Sequence, residues 1–354
     1  MSGSLRRPTE RWLVVGGAGF IGSHLVERLI ERNPVTIFDD LSVGREAFIA
    51  GSIAGGARLV VGDARDLAQL EAAMVGHTHV VHLSANPEAR AALLDPRIDI
   101  DQGILATFNV LEAMRRVGAR RLVFSSSGTV YGPREGACAE SDLGALPISL
   151  YGASKLAGEA MISAYAECFG LEATITRFGN VVGPRATHGA ALDFFRKLQS
   201  TPHELVVLGD GKQRKPYLHV RDCVDAVLFV ADNGQGVIDV VNIAPDGTTS
   251  VAAIAAACIA ASPHPEARIA FTGGERGWPG DIPRSFMDAG LLHRRGHGLS
   301  RTSDEAVADA VVELSREVFP AHRPDAARVR AAIADAAVRE ASDTVDSSAT
   351  SATT

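Results

Sequence analysis

Cysteine is scarce in this chain. Cys138, Cys168, Cys223 and Cys258 are scattered through 354 residues without C-x-x-C spacing, which excludes a disulfide framework or cysteine zinc site and fits a reducing compartment, the cytoplasm. Long hydrophobic runs are also lacking. The longest alanine-rich apolar stretch, Val251 to Ala261, is too short to span a bilayer and reads as a buried helix. The opening MSGSLRRPTE carries charge but no apolar segment behind it suited to a signal peptide. Positive charge is nowhere concentrated: the net charge is -7, with no basic face or long like-charge run. That leaves no electrostatic footprint for nucleic acid or an anionic membrane. His188, His203 and His219 do not share metal-ligand spacing, so no metal is expected. There is no internal repeat.

What is present is a glycine turn between a strand and a helix. In Leu13 to His24, LVVGGAGFIGSH, Val14 and Val15 read as a buried parallel strand, while Ile21, Leu25 and Leu29 recur as one face of a helix. Gly16, Gly19 and Gly22 let backbone at Phe20, Ile21 and the helix start approach a pyrophosphate closely. A second strand, Val35 to Phe38, ends at Asp39, where a carboxylate can accept from an adenosine ribose and repel a 2′-phosphate. This favours NAD over NADP. Alternatively Asp39 or Asp40 caps the turn and Arg45 serves a phosphate.

Further strand ends follow. Leu41 to Gly56 reads as a loop, and Arg58 to Val61 as a strand ending at Asp63 and Ala64. Asp63 can meet an adenine amino group or simply shape its turn, and Asp66 reads as a helix N-cap. Val80 to Leu83 leads into Ser84, Ala85 and Asn86, small residues that let backbone pass a flat cofactor. A long helix through Ile104, Phe108 and Leu111 ends at Gly118, and Leu122 to Phe124 runs into the hydroxyl cluster Ser125 to Thr129. Tyr151 and Lys155 then stand four apart on one helix face. A phenol is a poor base at neutral pH, but a neighbouring ammonium and a cationic nicotinamide both favour phenolate. Taken alone, such a pair is ordinarily a packed ring beside a solvated stem; with the glycine turn and the serines it points to catalysis.

In order along the chain, GGAGFIG, Asp39, GDARD, HLSAN, SSSGTVYG, YGASK, RFGNVVGPR and GDGKQRKPYLHVRD resemble an extended short-chain dehydrogenase/reductase, most closely an NDP-sugar 4-epimerase of the UDP-glucose 4-epimerase type. The resemblance covers Arg11 to about Asp281. It implies an α/β fold, a Rossmann-type doubly wound parallel sheet of seven strands, with a smaller C-terminal substrate-binding domain. Residues 1–180, with 216–245 returning to it, would be the NAD-binding domain, 181–340 mainly the nucleotide-sugar domain, and 341–354 a disordered Ser/Thr/Ala-rich tail.

By the same resemblance Tyr151 takes the proton of the sugar 4-hydroxyl, Lys155 holds the nicotinamide ribose and depresses the tyrosine pKa, and Ser127 hydrogen-bonds the same hydroxyl. Gly16, Gly19, Phe20, Ile21, Gly22, Asp39, Asp63, Ala64, Leu83, Ser84 and Ala85 line the NAD site together with Tyr151 and Lys155. Asn180 contacts the substrate. Its diphosphate falls to Arg214 or Lys215, between which the sequence does not choose, with Arg276 a second candidate. Gly128 and Thr129 offer no carboxylate where dehydratases and decarboxylases place one, which disfavours those reactions. Another nucleotide-sugar reaction, or a non-catalytic NAD-binding regulator, is the alternative. A homodimer is expected through the segment Ile98 to Val117 and the helix after Tyr151.

Overall fold

The computed structural model describes residues 10–142 and 145–351, with backbone alone from 343. A seven-stranded sheet forms the larger lobe. Its order is Ile238–Ile243, Glu172–Phe178, Arg121–Ser127, His79–His82, Trp12–Val15, Val35–Asp39, Arg58–Val61, and every pairing is parallel. The first strand lies in the interior, Val15 opposite Phe38 on one side and His82 on the other. Chain order therefore runs outward in both directions from Trp12–Val15, and a crevice opens at its carboxyl end, the usual ligand position in such sheets.

Helices cover both faces, which explains why the inner strands read as continuous apolar runs rather than alternating ones. Leu25, Val26 and Leu29 from the helix Phe20–Leu29 pack with Val224 and Val227 from Val220–Asp232 on one face. On the other, Leu70, Met74, Leu111, Met114 and Ile162 come from Leu67–Met74, Ala106–Val117 and Leu150–Phe169. Gly118 and Gly170, both left-handed, end the latter two helices.

A smaller lobe has its own core. Phe195, Leu198, Ile254, Cys258, Val307, Val311, Val329 and Ile333 meet there, from the helices Ala190–Ser200, Val251–Ala261, Ser303–Val318 and Ala326–Ser351. Among the described residues no helix is long and apolar enough to cross a membrane.

Three segments depart from the sequence reading. The expected loop 41–56 holds the helix Glu46–Ala54, whose apolar residues lack a clean period; burial of Ile49 against the first helix orders it. The helix ending at Gly118 is preceded by a π-helical turn, Ile100–Leu105. The last helix continues to Ser351, through most of the stretch read as a tail. It contains no glycine or proline after Ala326 to stop it; residues 352–354 lie outside the described residues.

Candidate active site

The glycine turn is shaped by contact rather than by flexibility alone. A Cβ on Gly22 would lie 2.2 Å from the Gly16 carbonyl oxygen, and one on Gly16 would lie 2.7 Å from the Ser84 amide nitrogen. Gly16 also has a φ of +82°, open to glycine at no steric cost. The strand end at Ser84 and the helix start can thus approach only through hydrogen. Gly19 caps the helix without any side-chain hydrogen bond, so the N–H groups of its first turn remain for an anion.

Asp39 ends its strand with a buried carboxylate. Its Oδ2 accepts from the Ala18 amide and its Oδ1 from the Leu41 amide, both at 2.9 Å. Burial pushes its pKa up, and those two amides pull it back. It caps the turn, yet it also lines the crevice, because a carboxylate has acceptor capacity beyond two bonds. Asp63 likewise does two things. It holds the Arg65 amide at 2.8 Å and the Arg65 guanidinium, which keeps its carboxyl below the usual range, and it stands in the wall. Asp66 is a helix N-cap, accepting from the Ala68 and Gln69 amides.

Two adjoining cavities occupy the crevice. The first is lined by Gly16, Gly19, Phe20, Ile21, Gly22, Asp39, Asp63, Ala64, Leu83, Ser84, Ala85, Tyr151 and Lys155, so the structure brings every predicted cofactor residue to one wall. The second, between the lobes, is lined by Ser127, Tyr151, Asn180 and Lys215 among others. Tyr151 stands in both.

The helix Leu150–Phe169, capped by Ser149 on the Gly152 amide, carries Tyr151 and Lys155. The ammonium of Lys155 donates to the Ser125 carbonyl at 2.7 Å and lies 5.0 Å from the Phe124 ring centre and 5.7 Å from that of Tyr151. Burial lowers its pKa to about 8, partly offset by the anions Asp99 and Glu159. Burial raises Tyr151 to about 12; Asp99 adds to this and the Ser127 hydroxyl opposes it. The chain alone therefore keeps the phenol protonated at neutral pH. His82, under Lys155, is held neutral by burial and by that ammonium, its pKa lowered to about 3. Ser127 sits at the strand end, where its oxygen accepts from the Thr129 amide at 3.2 Å and the Thr129 hydroxyl at 3.0 Å.

The three diphosphate candidates separate. Arg214 turns to the smaller lobe, with Nη1 2.6 Å from Glu340 and Nη2 2.8 Å from the Thr248 carbonyl, and is not part of either cavity wall. Arg276 also lies outside both walls and donates to the Pro279 carbonyl at 3.4 Å. Lys215 alone of the three enters the second cavity, paired with Asp281. Adjacent residues in the short strand Arg214–Lys215 point to opposite sides.

Sequence reasoning missed other members of this wall. Glu88 and Arg90 follow the fourth strand and form a two-pronged pair at 2.9 and 3.1 Å. Trp278 and Met287 arrive from the distant C-terminal part. For Glu88 and Arg90 the available signal was their place just after a strand's carboxyl end; the other two carried none.

The model of the NAD dependent epimerase/dehydratase family matches residues 12–244. A putative UDP-glucose 4-epimerase of Methanocaldococcus jannaschii is 36% identical over 246 residues, covering 68% of this chain and 78% of the relative. A UDP-N-acetyl-alpha-D-glucosaminuronate decarboxylase of Bacillus cytotoxicus is 30% identical, over 70% of this chain and 78% of that one. Among solved structures, a UDP-galactose 4-epimerase superposes with TM-score 0.78 at 36% identity, over 87% of this chain and 100% of the other. Thermus thermophilus UDP-glucose 4-epimerase in complex with NAD gives 0.76 at 28% identity, over 86% and 98%. By the family match across about two thirds of its length and this likeness of fold, the chain belongs to the NAD dependent epimerase/dehydratase family as an extended short-chain dehydrogenase/reductase.

Proposed function

We propose that this protein epimerises a nucleotide-sugar at C4, with UDP-glucose and UDP-galactose as the pair, through a transient 4-keto sugar. The observation that carries the reading is the place of Tyr151, the one residue of the catalytic set that faces both cavities. The chain's glycine turn, Asp39 and Ser84–Ala85 fit a dinucleotide, since the turn is too tight for side chains and its helix start lacks a cap. NAD+ held there would supply the acceptor and donor of hydride for C4, and a positive charge near the phenol.

Tyr151, once its phenol has lost its own proton to solvent, accepts the proton of the sugar 4-hydroxyl. Ser127 shares a hydrogen bond with that hydroxyl and steadies the geometry, while Lys155, already charged below about pH 8, favours the phenolate once the phenol gives up its proton. Lys215 leaves Asp281 for the diphosphate, and Asn180, exposed at the start of the strand Asn180–Val182, contacts the substrate.

Epimerisation is favoured over decarboxylation or dehydration by the carboxylates of the second cavity. Glu88 and Asp193 are paired with Arg90 and Lys197, and the Arg90 guanidinium holds the Glu88 carboxyl below its usual range, so Glu88 is not poised to donate a proton. A homodimer would cover Ile100, Leu105 and Phe108, apolar side chains 52%, 39% and 40% exposed. Incubation of the purified protein with UDP-galactose, without added cofactor, tests the function: the expected result is UDP-glucose plus NAD released on denaturation. In Tyr151→Phe turnover should disappear while bound NAD is retained; undiminished turnover would remove Tyr151 as the base.

A further inference from the structure

One turn beyond Lys155 on the same helix face lies Glu159, which none of the chemistry above uses. It is 7% exposed, and its partner Arg177, from the strand Glu172–Phe178, is 1% exposed. Arg177 grips it with two prongs, Nε to Oε1 at 2.9 Å and Nη2 to Oε2 at 2.6 Å. The Ser126 hydroxyl donates to the same carboxylate at 2.5 Å. Arg177 then reaches onward, its Nη1 donating to the Tyr131 hydroxyl at 3.0 Å and the Glu140 carbonyl at 2.9 Å. Tyr131 donates to Asn242 at 2.6 Å, and the Asn242 amide is fixed by the Cys138 and Asp288 carbonyls. This chain of bonds ties the Tyr151 helix, the strand end before Ser127, the turn Gly128–Tyr131 and the segment bearing Met287.

Two long charged groups buried so completely cost more to desolvate than a well-packed apolar pair would, so stability alone does not explain them. We propose that Glu159 and Arg177 are positioning residues for the reaction, setting the Tyr151–Lys155 face against Ser126 and Ser127. The Glu159 carboxylate, one turn from Lys155, also supports the charge on that ammonium. The catalytic part of this inference rests on the epimerase reading; the effect on Lys155 does not. The groups facing Lys155 are Asp99, ahead of the π-helical turn, His82 on the neighbouring strand and Glu159 on its own helix. Tyr151 faces Asp99 and Ser127.

Glu159→Gln preserves shape and removes the charge. With NAD-loaded protein and UDP-galactose, kcat should fall ~10-fold to 100-fold, as for a small misplacement of reacting groups, with KM within about twofold. The alkaline limb of the pH–rate profile should move to lower pH, because Lys155 loses a supporting anion. Glu159→Met combined with Arg177→Met removes the pair without leaving a buried lone charge, and should show the same loss of kcat if the single variant does not fold, with a smaller displacement of the alkaline limb because a cation leaves together with the anion. A brace with no bearing on chemistry would lower only the melting temperature; kcat and the alkaline limb at wild-type values in a folded variant overturn the proposal. Should the wild type convert no UDP-galactose, the epimerase reading fails separately, and Lys155 is then followed through the pH dependence of unfolding. Stability in Glu159→Gln should begin to rise at lower pH than in wild type, and the difference should vanish in a Lys155→Met background. A persisting or absent difference refutes the coupling.

Discussion

Lys155→Met should stabilise the cofactor-stripped protein at neutral pH while destroying its activity. Burial brings the lysine from its ordinary 10.5 to about 8, and that difference corresponds to about 3 kcal/mol against the charged form in the folded state. Methionine has similar length and no charge. It forfeits the charged hydrogen bond to the Ser125 carbonyl, about 2 kcal/mol, leaving a net gain of about 1 kcal/mol at pH 7. The pH dependence is more telling than the absolute value. Between the folded and unfolded pKa values the unfolded chain binds more protons than the folded one, so wild-type stability rises with pH there. The variant lacks that rise, and from pH 7 to about 9.5 the wild type should gain on it by roughly 2 kcal/mol, reversing the order of the two. Urea unfolding of both proteins at several pH values measures this. A variant less stable at pH 7, or a gap that does not change with pH, would refute the argument that Lys155 is held charged against its environment for function.

Gly22→Ala drives a methyl to 2.2 Å from the Gly16 oxygen and 2.7 Å from the Gly17 Cα, both backbone atoms; the turn must open, at a cost of about 1–3 kcal/mol, seen as a lower melting temperature and loss of co-purifying NAD. Lys215→Ala should raise KM for the nucleotide-sugar ~10-fold to 100-fold, the worth of one charge-assisted hydrogen bond. Arg214→Ala, which removes the bonds to Glu340 and Thr248, should leave KM near wild type and cost about 1 kcal/mol of stability, and steady-state kinetics beside thermal melts would separate the two. Equal effects on KM would contradict the opposed directions of these neighbours.

The local signals were strong where one short segment builds a whole device. Gly16 to Gly22, Asp39 and the four-residue step from Tyr151 to Lys155 specify backbone approach, an acceptor and a shared helix face, each fixed within a few residues by sterics and helical pitch. Parallel strands buried on both faces announce themselves as apolar runs, so the sheet was legible too. The helix Glu46–Ala54 was not, because its period is blurred and only burial of Ile49 orders it.

Sequence by itself therefore determined the glycine turn, the sheet and the shared helix face of Tyr151 and Lys155. Tertiary structure decided that Lys215 faces the cavity and Arg214 faces Glu340, since two adjacent cations in a strand are equivalent until each side has a lobe to face. It also decided that Glu159 and Arg177, 18 residues apart in the chain, share a buried site behind Lys155. Ion pairs of this kind depend on dielectric and on distance through space, neither of which a linear sequence carries.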